Sequence, residues 1–234
     1  MRSSNSTHGF GDRSPRYRRP VMGDDAARLR REYEAHGLVE REMADDPFSQ
    51  FEQWFSGVIA AGIDEPNAFV LATSGASGAP SARALLMKDL SAEGLVFYTG
   101  MKSRKSRDMR ESPRAAATFV WTPIHRQVRF EGTVEEVDAD TADAYFATRP
   151  RGAQIAAHAS TQTEVVSRRE ELDTRFARLS AEFGDGDVPR PDDWGGWRLI
   201  PSSVEFWQGR PNRFHDRVRY RLDGGAWLKE RLSP

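Results

Sequence analysis

From Asn67 to Thr99 the sequence runs through three short β-rich segments, AFVLATSG, SARALLMK and GLVFYT, separated only by the brief stretches ASGAP and DLSAE. These short connections constrain the fold most tightly. Parallel neighbours need a crossover of about a dozen residues or more, so antiparallel pairing is the economical reading. The turn GASGAP between the first two reads as a hairpin. AAATFVW and the strand pair around RQVRFEGTVEEV continue the pattern. WRLIP, VEFWQ, RVRYRL and AWLKERL resume it near the C-terminus, the last pair joined by Asp223, Gly224 and Gly225 as a hairpin turn. Strands without regular helical crossovers point to a mainly β protein: an antiparallel sheet closed into a barrel, with flanking helices outside it.

The helices are few and have clear start signals. Asp24 to His36 reads as a short charged helix ended by Gly37. Asp46 as N-cap and Pro47 at the first helical position open a stronger one, with Phe51, Trp54, Phe55, Val58 and Ile59 at helical spacing toward a core. Ser103 to Glu111 forms a short polar helix. Asp138 or Asp140 caps another, which places Tyr145 and Arg149 at i and i+4 on one face before Pro150 stops it or starts the next. Ser167 with Glu170 makes a capping box ahead of Leu172, Phe176, Leu179 and Phe183, closed by Gly184.

The chain has 234 residues and a net charge of −1, which argues against a nucleic-acid footprint over the whole protein. Charge is uneven, however. Residues 1–22 carry five Arg against one Asp among Ser, Asn, Gly and Pro, the composition of a disordered basic arm, leaving residues 23–234 as a single domain. No apolar run approaches the ~18 residues that cross a bilayer, so no membrane partner is expected. Without cysteine the chain has no disulfide framework and no thiolate nucleophile, which is compatible with a cytoplasmic protein. GxxxxGK[ST], GxGxxG after a strand, GxSxG, HExxH and paired cysteines are all missing, and His36, His125 and His158 lack metal-ligand spacing; no metal is expected.

Four places carry chemistry. The segment EFWQGRPNRFHDR, Glu205 to Arg217, reads as a strand end broken by Gly209, Pro211 and Asn212, with Arg213 and His215 two residues apart and projecting to one side in extended geometry. It is a site for an anionic planar substrate or a charge-rich surface turn. Lys88 ends the run ALLMK, either as an anion-binding cation or as a lysine reaching solvent, and Arg83 faces the other side of the strand, so the two could serve two anions. In FYTGMKSRK, free backbone N–H groups at the helix start beside Arg104 and Lys105 suit a phosphate, the alternative being a solvated basic first turn. Tyr145, Arg149 and Arg151 around Pro150 form a second anion cradle or a surface cluster.

RALLMK, FYTGMKSRK, RQV, YFATRPRGAQI, STQT, WGGW and EFWQGRPNRFHDR stand in the order and spacing of the pyridoxine/pyridoxamine 5'-phosphate oxidase family, which the chain resembles from about Arg30 to Pro234. The resemblance implies an FMN-binding split β-barrel over residues 23–234, a homodimer with FMN at the subunit interface. It implies oxidation of pyridoxamine or pyridoxine 5'-phosphate to pyridoxal 5'-phosphate, with O2 becoming H2O2. It assigns Arg83, Tyr98, Thr99, Arg104 and Lys105 to the FMN phosphate and ribityl side, and Gln127, Gln162, Thr163, Trp207 and Arg217 to the flavin. To substrate phosphate it assigns Lys88, Tyr145 and Arg149, to the pyridine ring the catalytic Arg213 and His215, and to an N-terminal lid Arg30 and Tyr33. Ala153 stands where some members have Ser in the phosphate pocket, and Thr163 where Ser is familiar. The rival readings are a flavin or deazaflavin reductase on the same barrel and a non-enzymatic protein that binds flavin or pyridoxal phosphate.

Overall fold

The computed structural model describes residues 37–234, so the segment around residues 24–36, the arm, Arg30 and Tyr33 lie outside the described residues. Nine strands form one sheet: β1 (Ala68–Ser74), β2 (Pro80–Leu86), β3 (Asp89–Ser91), β4 (Gly94–Gly100), β5 (Arg114–Trp121), β6 (Arg126–Glu136), β7 (Trp194–Gln208), β8 (Asp216–Asp223) and β9 (Ala226–Leu232). Every pairing is antiparallel, in the order β2-β1-β5-β6-β7-β4-β3, with the β8–β9 hairpin attached to β7. Only Met87 and Lys88 separate β2 from β3. The same run of chain therefore pairs with β1 through its first part and with β4 through its last, and Lys88 N donates to Val96 O at 2.9 Å. That double pairing curls the sheet back on itself.

β7 organises the rest. Its 15 residues pair with β6 along one edge, while the other edge serves β4 from Trp194 to Leu199 and β8 from Ser203 to Gln208. The register shifts between Glu131 and Gly132, where β6 meets Pro201 of β7. A Cβ at Gly132 would run into the Ile200 carbonyl, so this bulge requires glycine.

Helix α1 (Pro47–Ala60) starts as its sequence predicts, with the Asp46 carboxylate accepting from Phe48 N and Ser49 N at 2.9 Å. It lays Phe51, Trp54 and Val58 into the barrel core, and the Phe51 ring sits 5.0 Å from Phe119 and 5.4 Å from Phe130. Each such buried ring contributes about 2–3 kcal/mol. Ile59, expected on that face, is exposed, because it lies about 100° around the helix from fully buried Val58, past the edge of the Phe51–Trp54–Val58 stripe.

The remaining helices are α2 (Arg104–Glu111), α3 (Ala139–Ala147), α4 (Arg151–Ala159) and α5 (Arg169–Phe183). Asp138 caps α3, but the helix ends before Arg149, so Tyr145 and Arg149 do not share a helical face. Pro150 is the N-cap of α4, and the extended backbone that proline imposes before itself explains the break. The capping box at α5 does not form. Arg168 is its N-cap, and the Ser167 hydroxyl turns to Glu171 instead. Gly184 closes α5 as expected, although none of the helix's residues is fully buried. A small second core of Phe146, Ile155, Val188 and Trp194 joins α3, α4 and the start of β7.

Candidate active site

Where β4 runs beside the start of β7, a cavity of about 660 Å³ opens, within the range of small-molecule sites. Its floor is a set of near-parallel rings. Tyr98 stacks on Tyr145 with centroids 4.0 Å apart and 11° between planes, and on Trp194 at 5.4 Å and 4°. Gly196, opposite Tyr98 in the β4–β7 register, makes this possible, since a Cβ there would lie 2.7 Å from the Tyr98 ring and 2.6 Å from Val137. Arg149 rests on the same group, its guanidinium carbon 4.6 Å from the Trp194 ring. Lys88 Nζ stands 6.0 Å from the Tyr145 ring, and Ala153 lines the wall nearby. Arg149 Nη1 is buried without a hydrogen-bond partner among the described residues. Burial holds its guanidinium below the ordinary arginine value. A buried donor in this condition calls for an anionic oxygen.

A second set of cations lies at the Thr99 side. Lys105 is 5% exposed, and its ammonium donates to Thr99 Oγ1 at 2.8 Å, Gln162 Oε1 at 2.8 Å and Ser103 Oγ at 3.2 Å. All three acceptors are neutral. Burial, and then the charge of Arg83, depress its pKa to about 8. Arg83 donates to Leu71 O, Thr73 Oγ1 and Ser81 Oγ, again neutral oxygens, while Asp108 accepts from the Thr73 hydroxyl at 2.8 Å and pairs with Arg104 Nε at 3.9 Å. Arg104 N donates to Thr163 Oγ1 at 3.3 Å, with Thr163 in the left-handed region at φ 84°. A buried ammonium and a half-buried guanidinium, both held by neutral oxygens, fit a phosphate ester. Arg151, grouped in sequence with Arg149, turns away to the carbonyls of Gly184 and Gly186.

The remaining expected residues gather elsewhere. Gln127, Trp207 and Arg217 are direct cross-strand partners on β6, β7 and β8 and form one row. Buried Glu205 holds Arg217 through Nε at 2.7 Å and Nη2 at 3.1 Å, which raises the arginine's pKa, and it also pairs with Arg129 at 2.8 Å. The Arg213–His215 segment is not extended, which corrects the two-residue same-side argument. A short 3-10 turn, Pro211–Arg213, places Asn212 at φ 56° and Arg213 at φ 60°. Two successive left-handed non-glycine residues are strained at ~1–3 kcal/mol each, a pattern that clusters at functional sites. His215 packs on Trp207 with centroids 4.7 Å apart.

None of these five residues lines the cavity. Thr99 pairs with Gly195 at one end of β7 and Gln127 with Trp207 near the other. The twelve intervening steps amount to ~40 Å of strand contour, shortened by the bend at the bulge. One chain does not bring the two groups together around a single mononucleotide. Sequence reasoning gave no role to Trp194, Gly196, Glu205 or the Thr73–Asp108 pair. WGGW was the only available signal for the first two, and Glu205 stood in a segment read for its other residues.

The fold and the two cationic sets define a class, the flavin-binding split β-barrels. Residues 55–183 match the family described as "Pyridoxamine 5'-phosphate oxidase", and residues 194–234 match "Pyridoxine 5'-phosphate oxidase C-terminal dimerisation region". The chain belongs to the pyridoxamine 5'-phosphate oxidase family. It is 50% identical over 210 residues to the pyridoxine/pyridoxamine 5'-phosphate oxidase of Rubrobacter xylanophilus, covering 90% of this chain and 97% of the relative. The enzyme of the same name from Thermosynechococcus vestitus is 47% identical over 208 residues, 89% of this chain and 98% of the relative. Among solved structures, PhzG from Burkholderia lata 383, in complex with tetrahydrophenazine-1-carboxylic acid, superposes with a TM-score of 0.82 at 27% identity, covering 87% of this chain and all of that one. The dimerisation region marks the protein as a homodimer. No helix among the described residues is long and apolar enough to cross a membrane.

Proposed function

We propose that this chain oxidises pyridoxamine 5'-phosphate and pyridoxine 5'-phosphate to pyridoxal 5'-phosphate, with FMN as cofactor and O2 as electron acceptor. The observation that carries this reading is the presence of two cation sets rather than one, on either side of Tyr98 and Thr99. Two phosphate esters need two separate grips. A reductase of the same barrel acting on an unphosphorylated substrate has no use for the second.

Arg83, Arg104 and Lys105 hold the FMN phosphate, with Tyr98 and Thr99 along the ribityl chain. Gln162 already spends its carbonyl on Lys105 and Thr99, which leaves its NH2 as a donor. Lys88, Tyr145 and Arg149 take the substrate phosphate, and Arg149 Nη1 gains the partner it lacks. Ala153 offers no hydroxyl to that phosphate, which weakens the grip by about 1 kcal/mol relative to serine. Gln127, Trp207 and Arg217 of the partner subunit close over the flavin, and Arg213 and His215 of the partner subunit hold the pyridine ring. FMN, when bound, supplies the redox chemistry: removal of an electron pair from the substrate 4' carbon and its delivery to O2 as H2O2. The side chains orient the reacting atoms and keep water out, and much of the rate enhancement comes from that alignment.

The test is optical. Purified protein reconstituted with FMN should show flavin bands that bleach under anaerobic pyridoxamine 5'-phosphate and return with air, with O2 consumed. A protein that stays colourless after reconstitution removes the proposal.

A further inference from the structure

His215 differs from the other proposed substrate contacts because the main chain dictates its ring chemistry. The backbone N–H of Arg210 donates to His215 Nδ1 at 3.1 Å. A peptide N–H can only donate, so Nδ1 must present its lone pair, and the single proton of a neutral ring then sits on Nε2. The loop that sets this contact is held at both ends. Gly209 N donates to His125 O at 2.8 Å, and Arg210 Nε pairs with Asp216 Oδ2 at 3.5 Å. Asp216 is itself fixed by Arg231 Nη1 at 2.7 Å and by Leu38 N at 3.1 Å, while Arg231 also grips Glu40. Asp216, next to His215 in sequence, is thus held by Arg210, Arg231 and Leu38. Glu205, on the adjacent strand, is committed to Arg129 and Arg217. Burial, with Arg213 close by, further disfavours a charged ring.

We propose that His215 serves the substrate as a neutral hydrogen-bond donor through Nε2, a role imposed by the Arg210 backbone N–H, and not as a proton acceptor. The inference rests on the reading of His215 as a substrate contact. The matching acceptor is an oxygen on the pyridine ring.

Nuclear magnetic resonance on the FMN-loaded dimer, labelled with 15N-histidine, reads the tautomer directly. The chain has five histidines, and the signal lost in His215→Gln identifies the one concerned. The expected pattern near neutral pH is a pyridine-type Nδ1 and a pyrrole-type Nε2. A pyrrole-type Nδ1, or a doubly protonated ring, overturns the proposal. Kinetics of two variants supply the second arm. Glutamine places an amide NH2 near the Nε2 position, whereas asparagine places a carbonyl near Nδ1 and satisfies only Arg210 N–H. His215→Gln should keep a kcat/KM about tenfold or more above that of His215→Asn, at equal flavin content. Equal losses would mean that donation does not matter, and a better asparagine variant would mean that bracing the loop is the whole role; either result overturns it. If the unsubstituted protein fails to oxidise pyridoxamine 5'-phosphate, the proposed function falls while the resonance result still decides the tautomer.

Discussion

At the Trp194 end of β7 the site is wired within one chain: Lys105, Thr99 and Gln162 bond one another, and Tyr98, Tyr145 and Trp194 stack beneath Arg149. At the Gln208 end, Gln127, Trp207 and Arg217 form a cross-strand row beside a left-handed turn, anchored from behind by Glu205. The first region gathers cations and polar groups that already face one another. The second presents a row of side chains that the same subunit's cavity does not receive. Under the proposed function, the difference makes the phosphate ends of both ligands a single-chain property and the ring ends a property of the pair.

The sharpest way to break this contrast is to damage each region in a different subunit. Arg149→Ala and Arg213→Ala homodimers should each lose about 10²-fold or more in kcat/KM with flavin retained, as expected for losing a charge-assisted contact. Mixed and re-associated, they should recover up to about a quarter of wild-type activity, because half of the random dimers carry one intact site. Recovery that stays at the level of the separate variants would place both residues in one subunit's site and end the contrast.

Lys105→Met tests the wired region alone. Flavin affinity should fall about 10- to 100-fold by fluorescence titration, while the apoprotein loses no stability, because a buried charge has gone. The sign with pH follows from a folded-state value of about 8, below the ordinary 10.5. Between those two values the unfolded chain holds a proton that the folded chain has released, so Lys105 contributes stability that rises with pH across that window. Flavin affinity should run the other way, weakening as pH climbs above about 8, and a flat affinity profile would remove Lys105 from the phosphate grip.

The smallest effect concerns the ring stack. Gly196→Ala should cost about 1–3 kcal/mol in thermal or denaturant unfolding by forcing Tyr98 and Val137 apart, with dimerisation intact. An unchanged midpoint would mean that the stack is not under packing constraint.

Much of the fold was legible. Short connections predicted antiparallel strands, Asp46-Pro47 marked the start of α1, and Asp223-Gly224-Gly225 marked the last hairpin, with both glycines at positive φ. Failures arose where a local rule met a stronger one. Pro150 cut off α3 before Arg149, Ser167 found Glu171 instead of a backbone N–H, and the left-handed pair Asn212–Arg213 replaced an extended strand. The site's internal wiring was beyond pattern reading for another reason. Lys105 and Gln162 are 57 residues apart, and neither sequence neighbourhood names the other. The resemblance supplied residues, and only the folded chain supplied their partners.

β7 borders three strands at once and spans both halves of the site. In a symmetric pair it acts as a common gauge: the span from the cup a subunit keeps to the wall it lends its neighbour is set by one continuous backbone. The two proposed catalytic chambers would thus be cut to the same measure, and a change of length or bend in that one strand would misfit both together.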